Sequence, residues 1–440
     1  METSVGKMFA RYAAFNVAGM LGLSCYILAD TYFVAAGVGP DGLAALNLAI
    51  PVYSFINGLG LMAGMGGATA FSIAAGQGDT ERKRAVFAQV LFLAITLSAV
   101  FFAGGLFFPE RLAALLGADR QVLEKTAAYL RVIMLFAPMF MLNSLLVCFV
   151  RNDGNPRLSM TAMVVGSFSN IVLDYVFIMV FRWGMFGAAV ATGIAPVVSI
   201  LILARHLFGG SCGFGLRGVG LKPRLMGECA ALGLSSLIVE ASSGAVMIAF
   251  NTLAARAAGN TGIAAYGILA NIALVVVSIF TGIGQGIQPL LSRYYGAGER
   301  EAVRRVYTLA AFTAAAFALA IYGVCAAFAE PMVAIFNSQG DRVLAQIAVR
   351  GLRLYFTGFL FAGINVVTAA FFSAVSQPGR SFAVSVLRGF AVILPMAFAL
   401  SAVLGLDGMW LSMPAAEGVV TAFCGILYVR GKQKGAKRTL

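Results

Sequence analysis

The 440-residue sequence has little charge, since Asp, Glu, Lys and Arg together make up 11% of it. Hydrophobic residues make up 60%, and the mean hydropathy is +0.90. A soluble chain could not bury that much apolar surface, so this composition excludes soluble globular and disordered proteins. The apolar runs are also too long and continuous for the strands of an outer-membrane barrel, in which polar and apolar residues alternate.

Residues and motifs of the common catalytic and metal sites are also scarce. There is one histidine, and none of the six cysteines forms a Cys-x-x-Cys pair, so we interpret the cysteines as small hydrophobic residues. No Lys-Ser/Thr follows the glycine clusters, which excludes a nucleotide-binding loop and any drive from ATP. We therefore expect no cofactor and no enzymatic activity.

The apolar runs predict an all-α polytopic membrane protein with twelve transmembrane helices, because each span needs about 20 apolar residues. Charged, glycine-bearing and proline-bearing connectors divide the chain at regular intervals. The predicted spans are 13–37, 45–75, 86–108, 127–150, 159–181, 184–206, 230–255, 262–290, 306–328, 346–375, 381–404 and 408–430.

Basic residues are distributed unequally over the connectors. The side of the membrane that holds the N-terminus carries 21 Lys and Arg residues and the opposite side carries 6. By the positive-inside rule, both termini are predicted to be cytoplasmic, in a multi-pass protein of the inner (plasma) membrane. The net charge of +13 then reflects topology and contact with anionic lipids rather than binding to nucleic acid.

The two halves of the chain are similar to each other at a nearly constant spacing. The matching pairs are Gly64 and Gly284, Gly66 and Gly286, Arg84 and Arg304 at an offset of 220, then Pro109 and Pro331, Asn143 and Asn365, Pro156 and Pro378 at 222. Six spans per half bring the second half into the membrane from the same side, so the repeat is parallel, with a pseudo-two-fold axis along the membrane normal. We expect an N-terminal lobe over 1–207, a linker over 208–229, a C-terminal lobe over 230–430 and a basic tail over 431–440.

Four of the 18 acidic residues lie within predicted spans, namely Asp30, Asp174, Glu240 and Glu417. Each costs roughly 2.5 to 3.5 kcal/mol to place in a bilayer, so each requires a reason. Helical rise puts Asp30 and Asp174 at the same depth, roughly 12 to 14 Å inside the opposite boundary. Asn170 lies one turn before Asp174 on the same helix face, where it can hydrogen bond or coordinate an ion.

The repeat supplies an internal control for this pair. Phe250 corresponds to Asp30 and Met396 corresponds to Asp174, so only the first lobe carries the acids. A purely structural role would more readily be retained in both halves. The asymmetry favours specialised chemistry in the first lobe, and the alternative is a buried structural cluster of hydrogen bonds.

The sequence resembles the multidrug and toxic compound extrusion (MATE) transporters, in the branch of bacterial drug exporters. The resemblance is carried by Tyr26-Ile-Leu-Ala-Asp30-Thr-Tyr-Phe33, Gly76-Gln-Gly78-Asp79, Asn170-Ile-Val-Leu-Asp174 and Glu240-Ala-Ser-Ser243, among other segments along the whole chain. It implies two six-helix lobes arranged in a V. It also implies that Asp30 and Asp174 form the cation-coupling site, lined by Asn170, Tyr129 and Thr192. The first helix has no proline, so the proline-dependent bending of some archaeal members is not expected here.

The other two acids are candidates for binding a cationic substrate. We group Glu240 and Glu417 with Asn143 and Tyr26 as substrate-binding residues. The alternative for each acid is an ion pair with an arginine in a span, such as Arg353 or Arg388.

These observations predict a secondary-active exporter, monomeric, that moves amphipathic, cationic small molecules outward in exchange for H⁺ or Na⁺. If the ion is Na⁺, then Asp30, Asp174 and Asn170 are its predicted ligands. The sequence leaves the choice of ion open, because oxygen-rich clusters suit both. The alternative function is a lipid-linked precursor flippase of the same superfamily, which the predominance of acids over bases in mid-span disfavours.

Overall fold

The computed structural model describes residues 2–209, 212–216, 220–337 and 340–436. Twelve membrane helices, which we number α1 to α12, follow one another, and short helices Pro109–Leu115 and Ala329–Phe336 precede α4 and α10. The membrane helices are α1 Glu2–Gly37, α2 Pro40–Gln77, α3 Thr80–Phe107, α4 Leu123–Leu135 with Ala137–Asn152, α5 Pro156–Asp174 continued by Tyr175–Val180, α6 Gly184–Phe208, α7 and α8 within Pro223–Gly296, α9 Arg300–Ala327, α10 Arg342–Tyr355 continued by Phe356–Gly358 and Phe359–Ala374, α11 Pro378–Val386 continued by Leu387–Ala391 and 393–404, and α12 406–436.

The count of twelve depends on three interruptions of the helices. Among the described residues, nine continuous helices are long and apolar enough to cross a membrane, and α4, bent by 48° between its two parts, is the tenth. Two of the nine continuous helices each contain two spans separated by a glycine, which brings the count to twelve. Gly259, at φ 60°, separates α7 from α8, and Gly405, at φ 61°, separates α11 from α12. Both glycines adopt the left-handed conformation that other residues avoid, which lets the chain turn back sharply. The predicted all-α fold with twelve spans is confirmed.

Two buried apolar clusters form the cores of the two lobes. The first collects residues from α1 to α6 together with Leu225, Cys229 and Leu232 at the start of α7, and the second collects residues from α7 to α12. The second core also includes Val5, Phe9 and Ala13 at the start of α1. The first turns of α1 therefore pack with the second lobe, although the rest of this helix belongs to the first.

The internal repeat is visible as duplicated contacts. Arg131 lies 3.9 Å from Glu110 in the first lobe, and its repeat partner Arg353 lies 3.7 Å from Glu330 in the second. Each pair joins a membrane helix to the short helix before it. The parallel two-lobe arrangement predicted from the offsets is confirmed.

The lobes contact each other on the side that holds the N-terminal end of α1 and the C-terminal end of α12. We call this the terminal side. Glycines make this approach possible: Gly66 of α2 packs against the backbone of Cys229 in α7, and Gly286 of α8 packs against Tyr12 and Ala13 in α1. Gly76 of α2 likewise lies against α8, as its repeat partner Gly296 lies against α2. A side chain at these positions would collide with backbone, so close packing of the lobes depends on glycine. We call this contact region the terminal seal.

The linker between the lobes is anchored to the first lobe. The Asp153 carboxylate accepts hydrogen bonds from the Gly213 backbone N–H at 2.6 Å and binds Nε2 of His206 at 2.9 Å. Phe214 packs among the rings of Phe71, Phe87 and Phe149, at 4.7 to 6.0 Å between centroids. The described part of the linker therefore stays with the first lobe, close to the terminal seal.

Candidate cation and substrate site

Helices α1 and α5 bring the two acids of the first lobe together. These helices pack closely because Gly19 and Gly22 of α1 face Met163 and Val164 of α5. Asp30 is 8% exposed and Asp174 is fully buried. Asp174 is also the last residue before the π-helical segment Tyr175–Val180, a local distortion that is frequent at functional sites.

The carboxyl groups of Asp30 and Asp174 are near enough to form a side-chain hydrogen bond with each other. Two ionised carboxylates cannot form such a bond, because neither has a proton to donate. Oδ1 of Asp30 and both carboxylate oxygens of Asp174 are buried, and no conventional donor in the described part of the chain reaches them. The geometry therefore suits two carboxyl groups that share one proton or one small cation.

Three more polar side chains, those of Asn170, Tyr129 and Thr192, lie near the acidic pair. Asn170 is fully buried one turn before Asp174, and neither its amide oxygen nor its amide nitrogen has a partner among the described residues. Tyr129 lies near Thr192 and interacts electrostatically with both acids. The Thr192 hydroxyl is buried and has no hydrogen-bond partner among the described residues. Buried amide and hydroxyl oxygens beside two carboxyl groups can serve as ligands for Na⁺ or orient a proton.

Sequence reasoning missed Tyr53 of α2, which connects the acidic pair with the other lobe. Its hydroxyl is 2.9 Å from that of Tyr26 in α1, and it interacts electrostatically with both Asp30 and Glu240. Its ring meets Phe140 edge to face at 5.4 Å. The available signal was a tyrosine one turn before Asn57 on a helix that contains Pro51, but its role is evident only from the packing of the helices.

Glu240 of α7 lies at the contact between the lobes. It packs against Gly58 of α2 and lies beside Asn57, which is also in α2. The ion-pair alternative is not realised for this acid within the described structure, since Arg353 pairs with Glu330 and Arg388 pairs with Glu417. Its charge is therefore available to a cation that binds between the lobes.

Glu417 of α12 is placed differently. Arg388 donates to its carboxylate from Nε at 3.0 Å and from Nη2 at 2.8 Å, and Asn365 donates from Nδ2 at 2.6 Å. These bonds satisfy the carboxylate inside the protein and favour the ion-pair alternative. Its role in substrate binding remains a prediction.

Asn143 is the repeat partner of Asn365, but the two side chains differ in their hydrogen bonds. Asn143 is half-buried, and its side-chain oxygen has no partner in the described part of the chain. The repeat places Gly166 and Ala195 where the second lobe has Arg388 and Glu417, so the first lobe has no equivalent ion pair. A free amide oxygen is compatible with the predicted role in substrate binding, which stays a prediction.

The repeat partner of Asp30 in the second lobe has a different environment in the structure. Phe250, opposite Asp30 in the repeat, is fully buried in the second core and stacks on Tyr266 at 5.4 Å. The second lobe therefore fills this position with an aromatic ring. The acidic pair belongs to one lobe only, although the two lobes share a fold.

The fold and the site define a class of protein: a polytopic membrane transporter made of two similar six-helix lobes. The family model described as MatE matches residues 17–176 and 235–399, that is, most of both lobes. The chain belongs to the multidrug and toxic compound extrusion (MATE) family.

Individual relatives match over nearly the whole chain. The multidrug export protein MepA of Staphylococcus saprophyticus is 26% identical over 434 residues, covering 97% of this chain and 94% of the relative. MepA of Staphylococcus aureus is 26% identical over 423 residues, covering 95% and 92%. These matches do not favour the flippase alternative.

Solved structures agree with the fold as closely. A crystal structure of a MATE protein in complex with MaL6 superposes with a TM-score of 0.92 at 25% identity, covering 99% of this chain and 97% of that one. A structure described as the outward-facing conformation of a multidrug resistance MATE family transporter gives the same values. A transporter of the wider superfamily from Pyrococcus furiosus superposes with a TM-score of 0.91 at 26% identity, covering 98% and 97%.

Proposed function

We propose that this protein is a secondary-active multidrug exporter that exchanges amphipathic cationic compounds for H⁺ or Na⁺. The observation that carries the proposal is the buried pair Asp30 and Asp174, whose carboxyl groups approach within hydrogen-bonding reach in one lobe only. The names of the MepA relatives, which describe them as multidrug export proteins, support the substrate class. Because one chain contains both lobes and the whole site, we propose a monomer as the working unit.

The coupling ion is proposed to bind between the two acids. A single proton or Na⁺ removes most of the repulsion between them, with Asn170, Tyr129 and Thr192 as lining groups. One elementary charge crossing the membrane supplies roughly 2.3 kcal/mol per 100 mV, and a tenfold concentration ratio supplies about 1.4 kcal/mol more. In a one-for-one exchange of the ion for a monovalent cation the two electrical contributions cancel, so a tenfold ion gradient supports about a tenfold outward gradient of the compound. A neutral compound receives both contributions.

The substrate is proposed to bind across the lobes, next to Glu240. This carboxylate offers the negative charge that a cationic compound requires, and Tyr26, Tyr53 and Asn57 line the neighbouring wall. Tyr53 interacts with both Asp30 and Glu240. A cation bound at the acidic pair therefore weakens the negative field near Glu240, which favours release of a cationic substrate.

The terminal side is proposed to be cytoplasmic, in accordance with the excess of basic residues there. Among described residues, the glycine contacts between the lobes run from the membrane midplane to that side, as at Gly58, Gly66 and Gly76. The molecule is then closed toward the cytoplasm, and the likeness to an outward-facing MATE structure supports this assignment. Alternation between this state and one that opens toward the cytoplasm would export the substrate.

Efflux of a fluorescent monovalent cation from cells that express the protein tests the proposal. Efflux should stop when the gradient of the coupling ion is collapsed. If collapse of the pH gradient stops efflux, the ion is H⁺, and if collapse of the Na⁺ gradient stops it, the ion is Na⁺. The variant Glu240→Gln should lose affinity for the cationic dye but retain transport of a neutral amphipathic compound. Efflux that survives collapse of both gradients would exclude secondary-active exchange.

A further inference from the structure

Arg151 is a buried cation in the terminal seal and has no acidic partner in the described part of the chain. It lies next to the end of α4 and is 1% exposed. Its Nη1 donates to the side-chain oxygens of Asn16 at 2.5 Å and Gln285 at 3.3 Å, and its Nε is buried with no partner among the residues that the structure describes. Its remaining contacts are the sulfur atoms of Met65 and Cys148. Every partner of this guanidinium among the described residues is therefore uncharged.

The nearest carboxylate along the chain is committed elsewhere. Asp153 binds His206 and the Gly213 backbone and lies 3.8 Å from Lys83. The repeat places Ser373 opposite Arg151, so the fold of a lobe does not require a charge at this position. The arginine is thus a specific feature of the contact between the lobes.

The groups around Arg151 join the two lobes through neutral hydrogen bonds. Asn16 donates to the backbone oxygen of Gly282 in α8 at 2.9 Å. Gln288 of α8 accepts from Asn152 at 3.0 Å and donates to Thr69 of α2 at 2.8 Å. Neutral hydrogen bonds of this kind exchange with water at small net cost when two surfaces part.

The charge of Arg151 behaves differently from these neutral groups. Burying a guanidinium without a counterion carries a desolvation penalty that neutral partners offset only in part. When the lobes part, water reaches the guanidinium and the penalty disappears. The closed state therefore carries a cost that the open state does not.

We propose that Arg151 acts as a built-in destabiliser of the terminal seal, which keeps the closed state easy to open, and that the lack of an acid opposite it is essential to this role. The inference rests on the proposed alternation between two open states. An arginine that simply held the lobes together would have the opposite effect, since its removal would loosen the seal.

The chain carries its own reporter of opening. Cys229 is fully buried where α7 meets Gly66 of α2, so its thiol becomes accessible when the lobes part on the terminal side. In a background in which Cys148, which contacts Arg151, is alanine and the other four cysteines are serine, a membrane-impermeant maleimide would modify only this thiol. The rate is measured in nanodiscs, without substrate or ion gradient, and so does not depend on transport.

Gln285→Glu is the decisive variant, because it is isosteric and supplies the missing counterion at the atom that Arg151 already contacts. We expect Cys229 to be modified at least tenfold more slowly than in the parent. Arg151→Gln removes the unpaired charge and keeps a hydrogen-bond donor, so it should also slow modification. An unchanged or faster rate in Gln285→Glu would overturn the proposal, even if Arg151→Gln failed to fold.

The double variant Arg151→Gln/Gln285→Glu is the matched control. It places an unpaired carboxylate in the seal instead of an unpaired guanidinium, so modification should return to the parental rate or exceed it. A double variant as slow as the two single variants would contradict the role of charge. A parent whose Cys229 is never modified would instead contradict opening itself, and with it the proposed function.

Discussion

Replacing Asp174 by asparagine tests the acidic pair most sharply, because the side chain keeps its shape and loses its charge. Two unit charges about 4 Å apart repel each other by about 4 kcal/mol at the effective dielectric constant of 20 that suits buried protein sites. That repulsion favours uptake of one proton or Na⁺ by about a thousandfold, at 1.4 kcal/mol per factor of ten. Asp174→Asn leaves Asp30 without its repelling neighbour, so affinity for the coupling ion should fall by up to this factor.

The assay is efflux of a fluorescent cation from cells that produce equal amounts of parent and variant protein in the membrane. We expect efflux by Asp174→Asn to fall below detection, while the thermal midpoint of the purified variant stays at or above that of the parent, because a buried charge has been removed. Asp79→Asn is the matched control: Asp79 is exposed and caps α3 by accepting from the Arg82 backbone at 2.9 Å, and asparagine caps equally well. Efflux above half of the parental rate in Asp174→Asn would refute the coupling role.

Three further predictions concern the second lobe, the seal and the linker. Glu417→Leu leaves Arg388 buried without its ion partner and should lower the free energy of unfolding by about 3 to 5 kcal/mol. The double variant Arg388→Met/Glu417→Leu should recover most of this loss. Equal thermal midpoints for the single and the double variant would contradict a structural ion pair. Gly66→Ala places a methyl group against the Cys229 backbone and should speed maleimide modification of Cys229 at least tenfold. The control Gly227→Ala, whose methyl group meets open space, should leave the rate unchanged. Equal rates in the two variants would argue against the glycine contact. Burial raises the pKa of the Cys212 thiol, and nearby Asp153 raises it further, while the backbone bond to Phe214 and nearby Lys83 lower it. Because the thiolate is the nucleophile, alkylation of Cys212 should reach half its maximal rate at a higher pH than that of an unstructured cysteine, and an equal or lower pH would contradict this placement.

The spans, the repeat and the acidic pair could be predicted because each depends on local or periodic information. Apolar length defines a span whatever its neighbours are, and a constant offset reveals a duplication without any structure. Asp30 and Asp174 could be paired from sequence because helical rise gives their depth and the repeat identifies the lobe. The resemblance to MATE transporters then supplied a role for them.

The sequence offered Arg353 and Arg388 as possible partners of the other two acids, but which arginine pairs with which acid could not be predicted, because the pairing depends on how helices pack side by side. Glu417 and Arg388 are 29 residues apart on different helices, and hydropathy gives no information about which faces meet. The same limit applies to Glu240 and Asn57, which belong to different lobes. Arg151 is an instructive case: it counts as a connector residue in the topology, yet tertiary packing buries it between the lobes.

The most direct test of the central claim uses purified protein in vesicles with an imposed ion gradient. A Na⁺ or H⁺ gradient should drive uphill movement of a fluorescent cation by the parent. The variant Asp30→Asn/Asp174→Asn should permit no uphill movement under either gradient, although it folds and still binds the dye. Gradient-driven accumulation by this double variant at the parental rate would contradict coupling through the acidic pair.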